Sequence, residues 1–116
     1  HLLEMLRAAD TSAVIELENI PLLPGARELF QQGNESTLAP ANRATETDIR
    51  IPEKKRGLPE YSALFDPQTS GGLLLGIPEK YVDAVLQDLS RQSDLKTAVV
   101  GYVVENQSQV ASIQIV

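Results

Sequence analysis

The stretch Leu64–Pro78, LFDPQTSGGLLLGIP, decides how the fold is interpreted. An Asp-Pro turn leads through Gln-Thr-Ser into two consecutive glycines and then into an apolar run. Residues 72–77 predict a buried strand, because the run is short, apolar and preceded by turn residues. Pro67 presets the turn, and Gly71 and Gly72 can adopt backbone conformations that other residues avoid. The stretch therefore predicts a polar turn at the mouth of a strand.

The turn offers hydrogen-bond donors but no cation. Thr69 and Ser70 supply hydroxyl groups, and the N–H groups of consecutive glycines can converge into a concavity that binds an anion. No lysine lies within 64–78, which excludes a Walker A loop, and the GxGxxG and GxSxG patterns are also absent. A phosphate or carboxylate suits such a turn. The alternative, in which Thr69 and Ser70 only cap their own backbone, stays open.

The N-terminal part of the chain predicts two helices with a strand between them. Leucines at helical spacing indicate the first helix over 1–10. The alternating strand over 12–20 would hold Glu16 and Glu18 on a solvent-facing side. The stretch 21–33 predicts the second helix, with Pro24 near its start and Gly33 just beyond its end. Its predicted inner face is Ala26, Leu29 and Phe30.

The middle of the chain predicts mostly loop. Residues 34–48 are polar and rich in turn formers, 49–51 could form a short strand, and a short helix is possible over 60–64. The densest positive charge, at 54–56, lies in the connection between them. These cations could neutralise a phosphate, although such a run is more often a solvated loop.

The C-terminal third predicts a helix and a hairpin. Pro78 opens the helix, and the hairpin would turn at 106–108, with an alternating second strand in which Ala111, Ile113 and Ile115 face one way. The order α, β, α, β, β, α, β, β indicates an α+β fold with a mixed β-sheet. The helix would bury Val82, Val85, Leu86 and Leu89.

Length and composition restrict the possible partners. The 116 residues suit one domain, 1–116, and the net charge of −6 opposes binding to nucleic acid or to an anionic membrane. Cysteine is absent, so neither disulfides nor thiolate metal sites are possible, and a cytoplasmic location is expected. His1 could contact a metal but is expected to be merely exposed. An acidic domain with a lysine-free loop would need a metal ion or outside lysines to hold a triphosphate.

Three ordered stretches resemble the selenophosphate synthetase family of the aminoimidazole ribonucleotide synthetase superfamily. These are DPQTSGGLL at 66–74, HLLEML at 1–6 and ESTLAPANR at 35–43. The resemblance implies an α+β C-terminal domain excised from a larger enzyme, with its own N-terminal domain as partner and homodimerisation through that domain. It also implies production of selenophosphate, AMP and phosphate from ATP, selenide and water.

The resemblance also implies how the site is divided between the two domains. ATP and Mg²⁺ would be held mainly by the N-terminal domain, which carries the reactive cysteine or selenocysteine, the lysine and most metal ligands. The present chain would be inactive alone, with no catalytic or metal-binding residue of its own. Its phosphate-binding residues would be Thr69, Ser70, Gly71, Gly72 and Asn42, and Asp66, Pro67 and Gln68 would shape the loop.

Two alternatives remain at this point. The chain could be the C-terminal domain of another member of the superfamily, of the purine-synthesis, thiamine-phosphate or hydrogenase-maturation type. It could also be a non-catalytic interaction module whose glycine turn is purely structural. Residues 44–60 match no pattern of the family and do not discriminate between these possibilities.

Overall fold

The computed structural model describes residues 1–68, 71–92, 96–107 and 112–116 as five α-helices and four β-strands with short 3₁₀ turns. The helices are α1 (Leu2–Ala8), α2 (Ala26–Gln31), α3 (Ala39–Asn42), α4 (Pro59–Ala63) and α5 (Val82–Gln92). The strands are β1 (Thr11–Ile15), β2 (Ile49–Arg50), β3 (Gly101–Glu105) and β4 (Ile113–Ile115). Within those ranges, none of the helices has both the length and the apolar character to cross a membrane.

The four strands form one mixed sheet in the order β2-β4-β1-β3. The pairing of β1 with β3 is antiparallel. The pairings of β1 with β4 and of β2 with β4 are parallel. This confirms the predicted α+β class with a mixed sheet. The predicted hairpin is wrong, since β1 lies between β3 and β4. The reason is that β1 is buried from Ser12 to Ile15 and takes the centre of the sheet, where both later strands can pair with it.

The core lies between α1, α4 and one face of the sheet. Tyr61 and Phe65 form an edge-to-face pair with ring centroids 5.1 Å apart, a favoured aromatic arrangement. Leu17, which follows β1, is completely buried. The remaining members of this cluster are Leu3, Leu6, Ala13, Ile15, Ile113 and Ile115.

Three predictions about the N-terminal part are wrong in detail. The first strand ends at Ile15, and a 3₁₀ turn over Leu17–Asn19 replaces its predicted second half. The strand also has no solvent-facing side, because Ser12 and Val14 on one face are buried as well as Ala13 and Ile15 on the other. Helix α2 forms as predicted, but it buries no residue and Leu29 is 54% exposed. Its contact with α4 includes an ion pair between Arg27 and the buried Glu60.

The predicted loop over 34–48 is largely helical. It contains α3 and a 3₁₀ helix over Arg43–Asp48, so the loop prediction is wrong there. Pro40 lies in the first turn of α3, where its missing N–H is not needed. The short strand predicted over 49–51 and the short helix predicted over 60–64 are confirmed as β2 and α4.

The predicted strand over 72–77 is wrong in this structure, in which 71–78 have no regular secondary structure. Leu73 is 90% exposed, so the apolar run is not buried. Helix α5 follows as predicted, and its four predicted core residues are half-buried, but none of its residues is fully buried. Ala111 lies outside the described residues, whereas Ile113 and Ile115 are buried as expected.

Candidate phosphate-binding loop

The loop that begins at Asp66 leaves the core from a fixed position. Phe65, the residue before it, is 2% exposed and belongs to the core cluster. The backbone N–H of Asp66 donates to the carbonyl of Ala63 at 3.3 Å, and that of Phe65 donates to Ser62 at 3.1 Å. These two bonds extend the last turn of α4, so the first residue of the loop has a defined direction.

Asn42 lies at the base of this loop. It is the last residue of α3, and its Nδ2 donates to the carbonyl oxygen of Phe65 at 2.9 Å. The bond satisfies a backbone acceptor that the end of α4 leaves free. The sequence predicts Asn42 as a phosphate contact, and this bond places it against Phe65, the residue directly before the loop.

Arg43 also contacts Phe65, through the ring of that residue. Arg43 was not predicted from the sequence as a site residue. Its guanidinium carbon lies 4.7 Å from the centroid of the Phe65 ring, within the range of a cation–π contact. The guanidinium also pairs with Glu35 and, at 3.8 Å, with Glu46. The ESTLAPANR stretch at 35–43 therefore contacts Phe65, the residue directly before the loop that begins at Asp66. An arginine directly after Asn42 was the signal available in the sequence.

A polar network supports the aromatic pair. The Tyr61 hydroxyl donates to Glu46, and Arg56 Nη1 lies 3.2 Å from the same carboxylate. Burial raises the pKa of Tyr61 to about 12, and the hydrogen bond to Glu46 and the charge of that carboxylate act in the same direction. The nearby Arg56 and Arg43 oppose this rise. The phenol therefore stays protonated and donates throughout the physiological range.

The basic run at 54–56 is partly neutralised by this arrangement. Lys55 Nζ lies 3.5 Å from Glu18, and Arg56 is paired with Glu46 and also with Glu53 at 3.2 Å. Both cations thus have carboxylate partners within the chain. The possibility that the run supplies charge to a phosphate is weakened for these two residues, because a bound phosphate would compete with those carboxylates.

Within the loop, Gln68 packs against Gly71. A Cβ added to Gly71 would lie 2.9 Å from Gln68 Oε1 and 3.0 Å from Gln68 Cβ, so a side chain at this position would displace the glutamine. A Cβ at Gly72 would meet nothing within 4 Å, which leaves open space beside that backbone. Thr69 and Ser70, the two predicted hydroxyl donors, lie outside the described residues.

No metal-binding cluster is formed within the described ranges, where no three His, Asp or Glu residues are grouped. His1 is fully exposed, and its Nδ1 lies 3.2 Å from Glu4 Oε2. The described part of the loop thus offers backbone N–H groups and open space, and Asp66 is its single carboxylate. Its chemistry is suited to holding an anion whose charge is balanced from elsewhere.

A second concavity of about 260 Å³ lies beside the 3₁₀ turn after β1. Its lining carries both signs of charge, including Glu18, Arg27, Glu28 and Lys96. Arg27 is already paired with Glu60, whose side chain is 1% exposed and depends on that partner. A phosphate in this cleft would compete with a buried carboxylate, which makes the glycine loop the better candidate.

Comparisons with known proteins give the family of the chain. Residues 1–114 match the family described as "AIR synthase related protein, C-terminal domain". The chain is 29% identical over 109 residues to the "Selenide, water dikinase" of Clostridioides difficile (strain 630), a match that covers 90% of this chain and 30% of that protein.

Two further relatives with the same name are similar to the chain. The protein of Dechloromonas aromatica (strain RCB) is 32% identical over 108 residues, covering 92% of this chain and 31% of the relative. That of Burkholderia ambifaria (strain MC40-6) is 34% identical over 113 residues, covering 95% and 31%. The chain thus spans somewhat under a third of the length of these relatives. On the match over 1–114, the chain belongs to the family of AIR synthase related protein C-terminal domains.

Proposed function

We propose that the chain is a single C-terminal domain, 1–116, of a selenide, water dikinase, an enzyme that makes selenophosphate, AMP and phosphate from ATP, selenide and water. The observation that carries this proposal is a contact between the ESTLAPANR stretch and the residue directly before the DPQTSGGLL stretch. Asn42 and Arg43, from one stretch, both engage Phe65, the residue directly before the other. Residues that are 23 apart in sequence are thereby joined at the start of the glycine loop.

In this proposal the loop closes over a phosphate group that another domain presents. Thr69 and Ser70 donate their hydroxyls, and Gly71 and Gly72 donate backbone N–H groups to the phosphate oxygens. Asp66, Pro67 and Gln68 shape the loop, in keeping with the close packing of Gln68 on Gly71. Asn42 faces the same cleft and fixes the loop base. ATP supplies the phosphoryl group when bound.

Magnesium would be held outside this chain. The loop itself brings no lysine. The triphosphate needs cations all the same, because its charge must be balanced in the site. We therefore assign the metal ligands and the reactive groups to an N-terminal domain. This assignment agrees with the length of the relatives, of which the matched part is about 30%.

The same proposal includes a homodimer that assembles through the N-terminal domain and a cytoplasmic location. Neither nucleic acid nor membrane is expected as a partner, since the chain carries a net charge of −6. The other superfamily activities are less well supported, because the three relatives share the name selenide, water dikinase.

The test is the reaction of the intact protein that carries this chain. With ATP, Mg²⁺ and selenide, ³¹P NMR should show selenophosphate together with AMP and phosphate, and without selenide the selenophosphate signal should be absent. The 116-residue chain alone should produce none. An intact protein that consumes ATP with a purine precursor or thiamine phosphate, but never with selenide, would overturn the proposal.

A further inference from the structure

The cleft beside the 3₁₀ turn that follows β1 has no part in the proposed reaction. Its lining is formed by Glu18, residues 20–25, Arg27, Glu28 and Lys96. The volume of the cleft is about 260 Å³. Pockets for drug-sized ligands measure roughly 300–1,000 Å³, so this cleft suits a smaller molecule, of the size of a single amino acid.

Arg27 gives this cleft a guanidinium group whose position is fixed. Its Nη2 donates to Glu60, and the side chain of Glu60 is 1% exposed. That buried carboxylate holds the guanidinium, while the side chain of Arg27 remains 52% exposed. A guanidinium group has more N–H donors than one carboxylate can use. Arg27 can therefore donate to a second carboxylate without leaving Glu60.

Glu28 and Lys96 are the two charged residues of the lining that have no ion-pair partner among the described residues. Glu18, by contrast, lies 3.5 Å from Lys55 Nζ. A ligand with a single charge would pair with Glu28 or with Lys96 and leave the other unpaired. A ligand that carries both a carboxylate and an ammonium group can pair with both, and this complementarity makes the cleft selective for it.

The rest of the lining is largely apolar. Ile20, Pro21 and Leu22 are half-buried, and Leu23 is 71% exposed. An apolar ligand side chain that covers this surface removes apolar area from water on both molecules, which favours binding. A polar ligand side chain would lose its hydration there without gaining a hydrogen bond. The lining therefore favours a ligand with an apolar side chain.

We propose that this cleft binds a free α-amino acid with an apolar side chain. The carboxylate of the ligand accepts hydrogen bonds from Arg27 and Lys96, and its ammonium group donates to Glu28. Its side chain packs on Ile20 and Leu22. Such a ligand carries no net charge, so it does not draw Arg27 away from the buried carboxylate that depends on it, as a phosphate would. The site lies outside the glycine loop and is independent of the proposed reaction.

Calorimetric titration of the intact protein with three probes tests the site. L-Leucine carries both charges, L-leucinamide only the ammonium group, and N-acetyl-L-leucine only the carboxylate. We expect L-leucine to bind saturably and both derivatives to bind at least about tenfold more weakly, because each leaves one charged group of the cleft without its partner. The titration contains neither ATP nor selenide, so a failure of the proposed reaction does not affect its result.

Two variants locate the binding in the cleft. Lys96→Gln and Glu28→Gln should each weaken the binding of L-leucine about tenfold, because each removes a charge-assisted hydrogen bond. Lys96→Gln should also reduce the preference for L-leucine over L-leucinamide, and Glu28→Gln the preference over N-acetyl-L-leucine. Lys54→Gln and Glu79→Gln remove the same charges from exposed positions outside the lining and should leave binding unchanged. Thermal unfolding checks that all four variants are folded.

Three results would overturn the amino-acid site. The first is the absence of saturable binding of L-leucine at concentrations up to about 10 mM, which means an affinity too weak for a specific site. The second is equal affinity for L-leucine and either derivative, because the cleft would then not recognise both charges. The third is equal binding by the cleft variants and the two controls, because the amino acid would then bind elsewhere on the protein.

Discussion

Two regions of this molecule have similar apolar patterns and very different burial. Within residues 1–65, Leu17 has no exposed surface, and Tyr61 and Phe65 are each 2% exposed. In 71–92 and 96–107 the structure buries no residue, although α5 has a regular apolar face. The difference teaches that a periodic pattern identifies the side chains that can be buried, while the partner surface decides whether they are.

The largest contrast is expected from truncating one leucine in each region. Leu17→Ala should lower the free energy of unfolding by about 3–4 kcal/mol, because it leaves a cavity in a packed core. Leu73→Ala, without ligand, should change it by less than about 0.5 kcal/mol, because its side chain lies in water. Urea unfolding followed by circular dichroism measures both. Similar losses for the two variants would mean that the Leu73 side chain is buried in solution.

The second prediction concerns the pH dependence of the better-packed region. Since the folded pKa of Tyr61 is raised from 10.0 to about 12, its stabilising contribution is complete below pH 10 and is lost as the pH rises towards 12. A pKa difference of this size corresponds to roughly 2–3 kcal/mol of unfolding free energy. Tyr61→Phe should remove this part of the alkaline loss, measured by urea unfolding between pH 8 and 12. Tyr102→Phe, at an exposed position, is the control and should leave the alkaline loss as it is.

A smaller effect is expected at the contact between α3 and the loop. Asn42→Ala removes the bond to the Phe65 carbonyl and should lower stability by about 1 kcal/mol. Asn34→Ala removes an equivalent bond, from its Nδ2 to the Leu29 carbonyl, and is the matched control. Both should affect thermal unfolding similarly, whereas only Asn42→Ala should slow selenophosphate formation by the intact protein. Equal slowing by both variants would show that Asn42 has no special role at the loop.

The sequence predicted the elements of this fold better than their arrangement. Helices α1, α2 and α5 and the strand β4 follow from apolar spacing, which is a local property. The position of β1 between β3 and β4 could not be predicted, because pairing depends on which strand is covered on both faces. The residues over 34–48 were too polar to suggest helix, yet Pro40 and the contacts of Arg43 stabilise one there.

For the candidate site, the sequence indicated the glycine loop and Asn42 but not the way in which they are connected. The bond from Asn42 to Phe65 spans 23 residues, and the contact of Arg43 with the Phe65 ring depends on the same fold of the chain. Such contacts have no local signature. The packing of Gln68 on Gly71 could have been anticipated only in outline, as the need for a small residue in a tight turn.

The measurement that tests the central claim most directly is the activity of the intact protein after removal of the two loop hydroxyls. Thr69→Ala with Ser70→Ala should lower kcat/KM for selenophosphate formation about 100-fold, as expected when donors to a reacting phosphate are lost. Thermal stability should change little. Thr47→Ala with Ser90→Ala, which removes two exposed hydroxyls elsewhere, should leave the rate unchanged. Wild-type activity in the loop double variant would contradict the account.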